Sequence, residues 1–142
     1  MIFLHGNVPS SKNSKVKTAK GVFMSKTCSK YLQNIGVKNY HMRDKTIDEY
    51  KKRPNLFKLS VGNYFDDVNV FPVKIGFHFV RDSKRKFDFH NIVQIIADLM
   101  VCHRFIPDDD MSCFLPFPMQ NEIGEWYTVD KNKPGVYIKI LN

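Results

Sequence analysis

Asp88-Phe89-His90-Asn91-Ile92-Val93-Gln94-Ile95-Ile96-Ala97-Asp98-Leu99-Met100 decides the fold, because its apolar residues recur with a single period. Phe89, Ile92, Val93, Ile96, Leu99 and Met100 share one stripe of a 3.6-residue helix, with Ile95 at its margin. His90, Asn91, Gln94 and Asp98 fall on the opposite side. The spacing predicts an amphipathic helix with Asp88 at its N-cap position and Asp98 on a solvated face. Just upstream, Val70 to Val80 alternates: Val73, Ile75, Phe77 and Phe79 lie on one side, and Lys74, Gly76 and His78 on the other. That is the pattern of a half-buried strand. The charged segment Arg81 to Lys86 is the turn between strand and helix.

Working outward, Ile2-Phe3-Leu4 reads as a first strand, closed by Gly6, Asn7, Pro9, Ser10 and Ser11. Lys12 to Lys20 holds four lysines and almost nothing apolar, which predicts a mobile basic loop; it lacks the glycine and Gly-Lys-Ser/Thr spacing of a phosphate-cradling P-loop. Gly21 to Met24 is a short strand, after which Ser25 or Thr27 caps a helix running through Ile35 and ended by Gly36. Asp44 or Thr46 opens a further, mostly exposed helix that includes Lys51, Lys52 and Arg53 and stops at Pro54. Phe114 to Met119 and Val136 to Leu141 are strands, the former at an edge because of Pro116 and Pro118. With no repeat or internal boundary, residues 1–142 read as a single small α+β domain, a mixed sheet with two or three helices.

The formal charge of +8 is unevenly spread. Met1 to Ser60 carries thirteen Lys or Arg against three Asp or Glu, whereas the remainder carries nine against eleven. A basic face attracts polyanions, and nucleic acid above all, because each neutralised phosphate releases counterions. Lys12, Lys15 and Lys17 with Lys84, Arg85 and Lys86 are the expected phosphate contacts. No run approaches the ~20 apolar residues of a membrane span, so no membrane partner is expected. The apolar run Met1 to Gly6 is short for a signal peptide, and Cys28, Cys102 and Cys113 form no close pair. The expectation is a cytoplasmic protein.

Within this positive field, Asp88, Asp98, Asp108, Asp109 and Asp110 gather within 23 residues. Asp88 and the triplet lie at opposite ends of the predicted helix, which rises ~18 Å over twelve residues. Ten extended residues reach ~33 Å, so the chain from Val101 to Asp110 is long enough to bring the triplet back to Asp88. Carboxylates that meet must be neutralised, and Mg²⁺, which takes one or two of them together with phosphate oxygens and water, does so directly. Such a cation polarises a phosphate and generates hydroxide. Other readings stand beside this one: Asp88 as a plain N-cap, the triplet as a solvated turn, His90 and Gln94 as surface residues, or a zinc site from His90, Cys102, His103 and Cys113, although no Cys-x-x-Cys is present.

Arg85-Lys86-Phe87-Asp88-Phe89-His90-Asn91, the helix containing Asp98, Phe105-Ile106-Pro107-Asp108-Asp109 and the opening strand with Pro9-Ser10-Ser11-Lys12-Asn13 together resemble the RusA family of Holliday-junction resolvases. That family's pattern is Asp-x-Asp-Asn, a Lys four residues beyond the second Asp, and a later Asp-Asp pair. The first Asp falls on Asp88, the Asn on Asn91 and the pair on Asp108 and Asp109, with Asp109 the implied ligand. His90 stands where the second Asp is expected, and Gln94 where the Lys is expected.

The resemblance implies a homodimeric, Mg²⁺-dependent endonuclease cutting branched DNA in recombination, repair or phage DNA processing. Two symmetric sites would make paired cuts across a four-way junction, whose shape and backbone are recognised more than its sequence. The implied catalytic residues are Asp88, His90, Gln94 and Asp109, and the metal ligands Asp88, Asp108, Asp109 and His90. An imidazole at position 90 would favour Mn²⁺. The alternative is a divergent relative that binds branched DNA without cutting it. A third expectation, from outside the family, is a basic ribonuclease or interaction protein.

Overall fold

The computed structural model describes residues 1–142 apart from the side chain of Asn13. In chain order its strands are β1 (Ile2–His5), β2 (Lys15–Thr18), β3 (Gly21–Met24), β4 (Val37–His41), β5 (Thr46–Glu49), β6 (Val73–Arg81), β7 (Phe114–Pro118), β8 (Thr128–Val129) and β9 (Gly135–Ile140). The helices are α1 (Lys26–Asn34), α2 (Asn63–Phe65), which continues a π-helical turn at Lys58–Gly62, and α3 (Phe89–Cys102). The main sheet runs β1-β9-β6-β7, with β8 pairing the end of β6; β7 and β8 are parallel to β6, and the other pairings are antiparallel. The expected α+β class with a mixed sheet is what the chain adopts.

β6 is the organising strand. Ile75, Phe77 and Phe79 point to one face, where Phe89 of α3 meets the rings of Phe77 and Phe79 edge-on at 6.4 and 5.9 Å. Burying side chains of this size contributes about 1.5–3 kcal/mol each. Of the expected polar face, however, only Lys74 is solvated. His78 is buried, its Nδ1 2.8 Å from the Met119 carbonyl oxygen and its Nε2 3.3 Å from Thr128 Oγ1. Met119 and Leu141 crowd Gly76, where an added Cβ would lie 3.1 Å from the Met119 sulfur. The segment between β7 and β8 thus covers a face that alternation alone assigns to water.

α3 buries Ile92, Val93, Ile95, Ile96, Ala97, Leu99, Met100, Val101 and Cys102, a band wider than one stripe, because the sheet and β4 both contact it. α1 begins as expected at Ser25, whose Oγ accepts from the Cys28 amide at 3.2 Å, and its end is followed by Gly36 at φ +79°. Glycine is required at position 36 twice over: the left-handed conformation disfavours a side chain, and a Cβ would stand 1.9 Å from the Pro54 carbonyl oxygen.

Two segments differ from expectation. Lys12 to Lys20 is not a mobile loop: a 3₁₀ turn at Ser11–Asn13 leads into the β2–β3 hairpin, paired from Lys15↔Met24 to Thr18↔Gly21. Gly21 at φ +129° and the Thr18 hydroxyl, which accepts from the Lys20 amide, close its turn. The helix expected from Asp44 or Thr46 is instead the β4–β5 hairpin, in which Tyr40 pairs with Ile47 and both pack on the core. Cross-strand burial of these two side chains outweighs the helix-start residues around them. Lys51, Lys52 and Arg53 are exposed as expected.

Among the described residues no helix is long and apolar enough to cross a membrane.

Candidate functional site

Asp88 occupies the N-cap position of α3 at φ −103° and ψ 126°, yet its carboxylate caps no backbone amide. Its Oδ2 instead accepts from Asn91 Nδ2 at 3.2 Å. The helix start is thus formed without the Asp88 side chain, which is exposed and oriented by a neutral amide. His90, in the first turn, is also exposed.

About one turn beyond His90, Gln94 forms the centre of a second group. Its Nε2 donates to Asp98 Oδ1 at 2.7 Å and to Asp109 Oδ2 at 2.9 Å. Asp98 Oδ2 also accepts from the Tyr40 hydroxyl of β4 at 3.5 Å. Asp98 is therefore not the solvated residue expected from helical periodicity: it is half-buried where β4 crosses α3. Burial first, and then the neighbouring Asp109 carboxylate, push its pKa up to about 6, against the opposing hydrogen bonds from Gln94 and Tyr40 and the charge of Lys15.

The return of the chain has a clear local cause. After α3, Arg104 adopts φ +63°, its amide donates to the Val101 carbonyl and the Phe105 amide donates to the Met100 carbonyl. This pair of bonds is a Schellman closure with an arginine in the left-handed position. Ile106 is then fully buried, and the Pro107 carbonyl accepts from Lys45 Nζ at 3.0 Å. The three aspartates divide their work. Asp108 Oδ1 accepts from the Asp109 amide, Asp110 Oδ1 accepts from the Ser112 amide and hydroxyl, and only Asp109 reaches α3. The Ser112 hydroxyl holds the exposed Asp110 carboxyl below its usual range.

The fold-back therefore reaches Gln94, which stands about 9 Å along the helix axis from Asp88. The structure joins Asp109 to Gln94, which also holds Asp98, and joins Asp88 to Asn91. Among the described residues no three His, Cys, Asp or Glu side chains stand together as a metal-binding group. Asp88, His90, Asp108 and Asp109 are thus not gathered into one cluster, and neither are His90, Cys102, His103 and Cys113. Cys102 bonds the His41 carbonyl, and His103 is held by the Leu99 carbonyl and by Asn55. What does come together is Asp98 and Asp109 on either side of one amide. Their proximity raises the pKa of Asp98, and paired oxygen donors of this kind suit a hard divalent cation.

A cleft of about 530 Å³ opens at the Asp88 end. Lys12 and Ser25 line it from one side, and Arg85, Lys86, Asp88 and Asn91 from the other. Lys12 and Arg85, 73 positions apart in sequence, therefore face the same space. Arg81 also lines the cleft but is half-buried, its Nη1 donating to the Val8 carbonyl at 2.6 Å and its guanidinium lying over the Phe87 ring. Lys17 and Lys84 are exposed nearby in the sequence, and the Lys15 charge is felt at Asp98. Among the residues missed as functional, Asp98 could have been found from its i, i+4 spacing to Gln94; Tyr40, 58 residues away from Asp98, left no sequence signal.

Compared as a whole, the sequence matches no protein-family model, and no curated protein matches it.

Proposed function

We propose that the chain is a divalent-metal-dependent endonuclease acting on branched DNA, and that it works as a homodimer related to the RusA resolvases. The single observation that carries this reading is that Gln94 bridges Asp109 and Asp98, on the helix whose first residues form the wall of a basic cleft. Lys12, Arg85 and Lys86 bind the phosphate backbone there, with Lys15 and Lys17 on the adjoining hairpin and Lys84 beside Arg85. Asn91 holds the Asp88 carboxylate, and Gln94 orients that of Asp109. Asp98 and Asp109, paired across Gln94, would hold Mg²⁺ or Mn²⁺, while Asp88 stands about 9 Å away along the helix, at the cleft, and Asp108 and His90 are not gathered with them. When bound there, a divalent cation would supply charge stabilisation at the scissile phosphate and an activated water.

The test is a mobile four-way junction incubated with Mg²⁺ or Mn²⁺. Asp109→Asn is expected to bind the junction with unchanged affinity and to lose divalent-dependent nicking. Unchanged cutting by that variant removes the mechanism.

A second reading, binding without cutting, is favoured by a specific contact: the neutral Gln94 amide already satisfies oxygens of both Asp98 and Asp109. A junction shift by the wild-type protein with no nicked product under either metal selects it. Preference for linear RNA over branched DNA selects instead a ribonuclease of different mechanism.

A further inference from the structure

The β2–β3 hairpin is a two-stranded sheet not joined to the main one, and it leaves apolar side chains in solvent. Val16 and Phe23 are cross-strand partners and so share one face; they are 48% and 53% exposed. Lys15 and Lys17 share the other face with Met24 and Val22. An isolated hairpin is marginally stable in water, so an exposed aromatic on it, unburied by the fold, calls for a binding role.

The surroundings narrow the partner. No Asp or Glu occurs from Met1 to Arg43, while Lys12, Lys15, Lys17, Lys20 and Lys26 flank or belong to the hairpin. Both ends of the hairpin are rooted at the basic cleft, where Lys12 and Ser25 line the wall. A second copy of this chain is disfavoured at this face, because the contact would bring two wholly cationic hairpins together. An aromatic surface framed by lysines and continuous with a phosphate-binding cleft matches the way unpaired nucleotides are held: bases stack on the ring while cations follow the backbone.

We propose that the Val16–Phe23 face is a stacking surface for unpaired bases at a DNA branch point, so that the hairpin selects branched over linear duplex. This rests on the nucleic-acid reading above and adds to it the element that senses the branch.

The experiment measures binding of the full-length protein, in EDTA so that nothing is cut, to a four-way junction carrying unpaired thymines at its branch point and to a linear duplex of equal length. Wild type is compared with Phe23→Ala, Phe23→Trp and Val16→Ser, each checked for folding by circular dichroism. Phe23→Ala is expected to weaken junction binding by about tenfold, from the worth of one stacked base. Its duplex affinity and salt dependence should stay unchanged, Phe23→Trp should restore junction affinity, and Val16→Ser should act in the same direction as Phe23→Ala. Equal binding of the junction by wild type and Phe23→Ala overturns the inference and leaves the nuclease reading standing. So does an equal loss on both DNAs, or a change in oligomeric mass on sedimentation without loss of junction selectivity. A wild-type protein that does not prefer the junction overturns the reading beneath it as well.

Discussion

Replacing Asp98 by Asn tests the central carboxylate pair in the most direct way. Asp98 is half-buried, and its carboxyl is pushed from an ordinary value of 3.8 up to about 6, chiefly by burial and then by Asp109. The folded protein therefore holds a proton that the unfolded chain releases near pH 4. Stability associated with the neutral carboxyl is fully present below that pH and is lost as pH rises through about 6. A displacement of this size corresponds to about 2–3 kcal/mol, since each pH unit of displacement is worth about 1.4 kcal/mol. Asn keeps the shape and still offers an oxygen to Gln94 Nε2 while carrying no charge. Urea denaturation of both proteins at pH 4.5, 6 and 7.5 in EDTA gives the comparison without cation binding. Asp98→Asn should be the more stable by about 1 kcal/mol at pH 4.5, and by about 2–3 kcal/mol at pH 7.5. Parallel stabilities across that window would refute the claim that an ionised Asp98 is strained against Asp109 in the folded state.

Three other outcomes follow from particular contacts. Gly36→Ala should destabilise by about 2 kcal/mol or more, because the site is left-handed and a Cβ would collide with the Pro54 carbonyl; thermal melting measures this, and an unchanged midpoint contradicts the geometry. The Tyr31 hydroxyl is buried without a hydrogen-bond partner among the described residues, so Tyr31→Phe should be neutral or stabilising by about 1 kcal/mol in chemical denaturation. Arg85→Gln with Lys86→Gln should weaken DNA binding and flatten the dependence of log affinity on log salt by about two ion equivalents, without lowering the melting temperature, since both side chains are exposed.

The sequence by itself determined the parts whose information is local. The period of Ile92, Val93, Ile96, Leu99 and Met100 specified α3, the alternation of Ile75, Phe77 and Phe79 specified β6, and Ser25 and Gly36 marked the ends of α1. Charge counting located the basic half of the chain. For the helices and the strand, the deciding residues lie within the one element they specify. The tertiary structure alone decided what depends on partners far along the chain. Tyr40 and Ile47 became a hairpin because the core was there to bury them. His78 lost its solvent because the segment after β7 folded over it. Asp98 became half-buried because β4 crosses α3, and Asp109 met Gln94 because an arginine accepts a left-handed turn after the helix. Periodicity reports which face of an element is apolar; it carries no record of which distant segment will cover the other face, and at this site that covering segment sets the charge, the pKa and the contacts of the carboxylates.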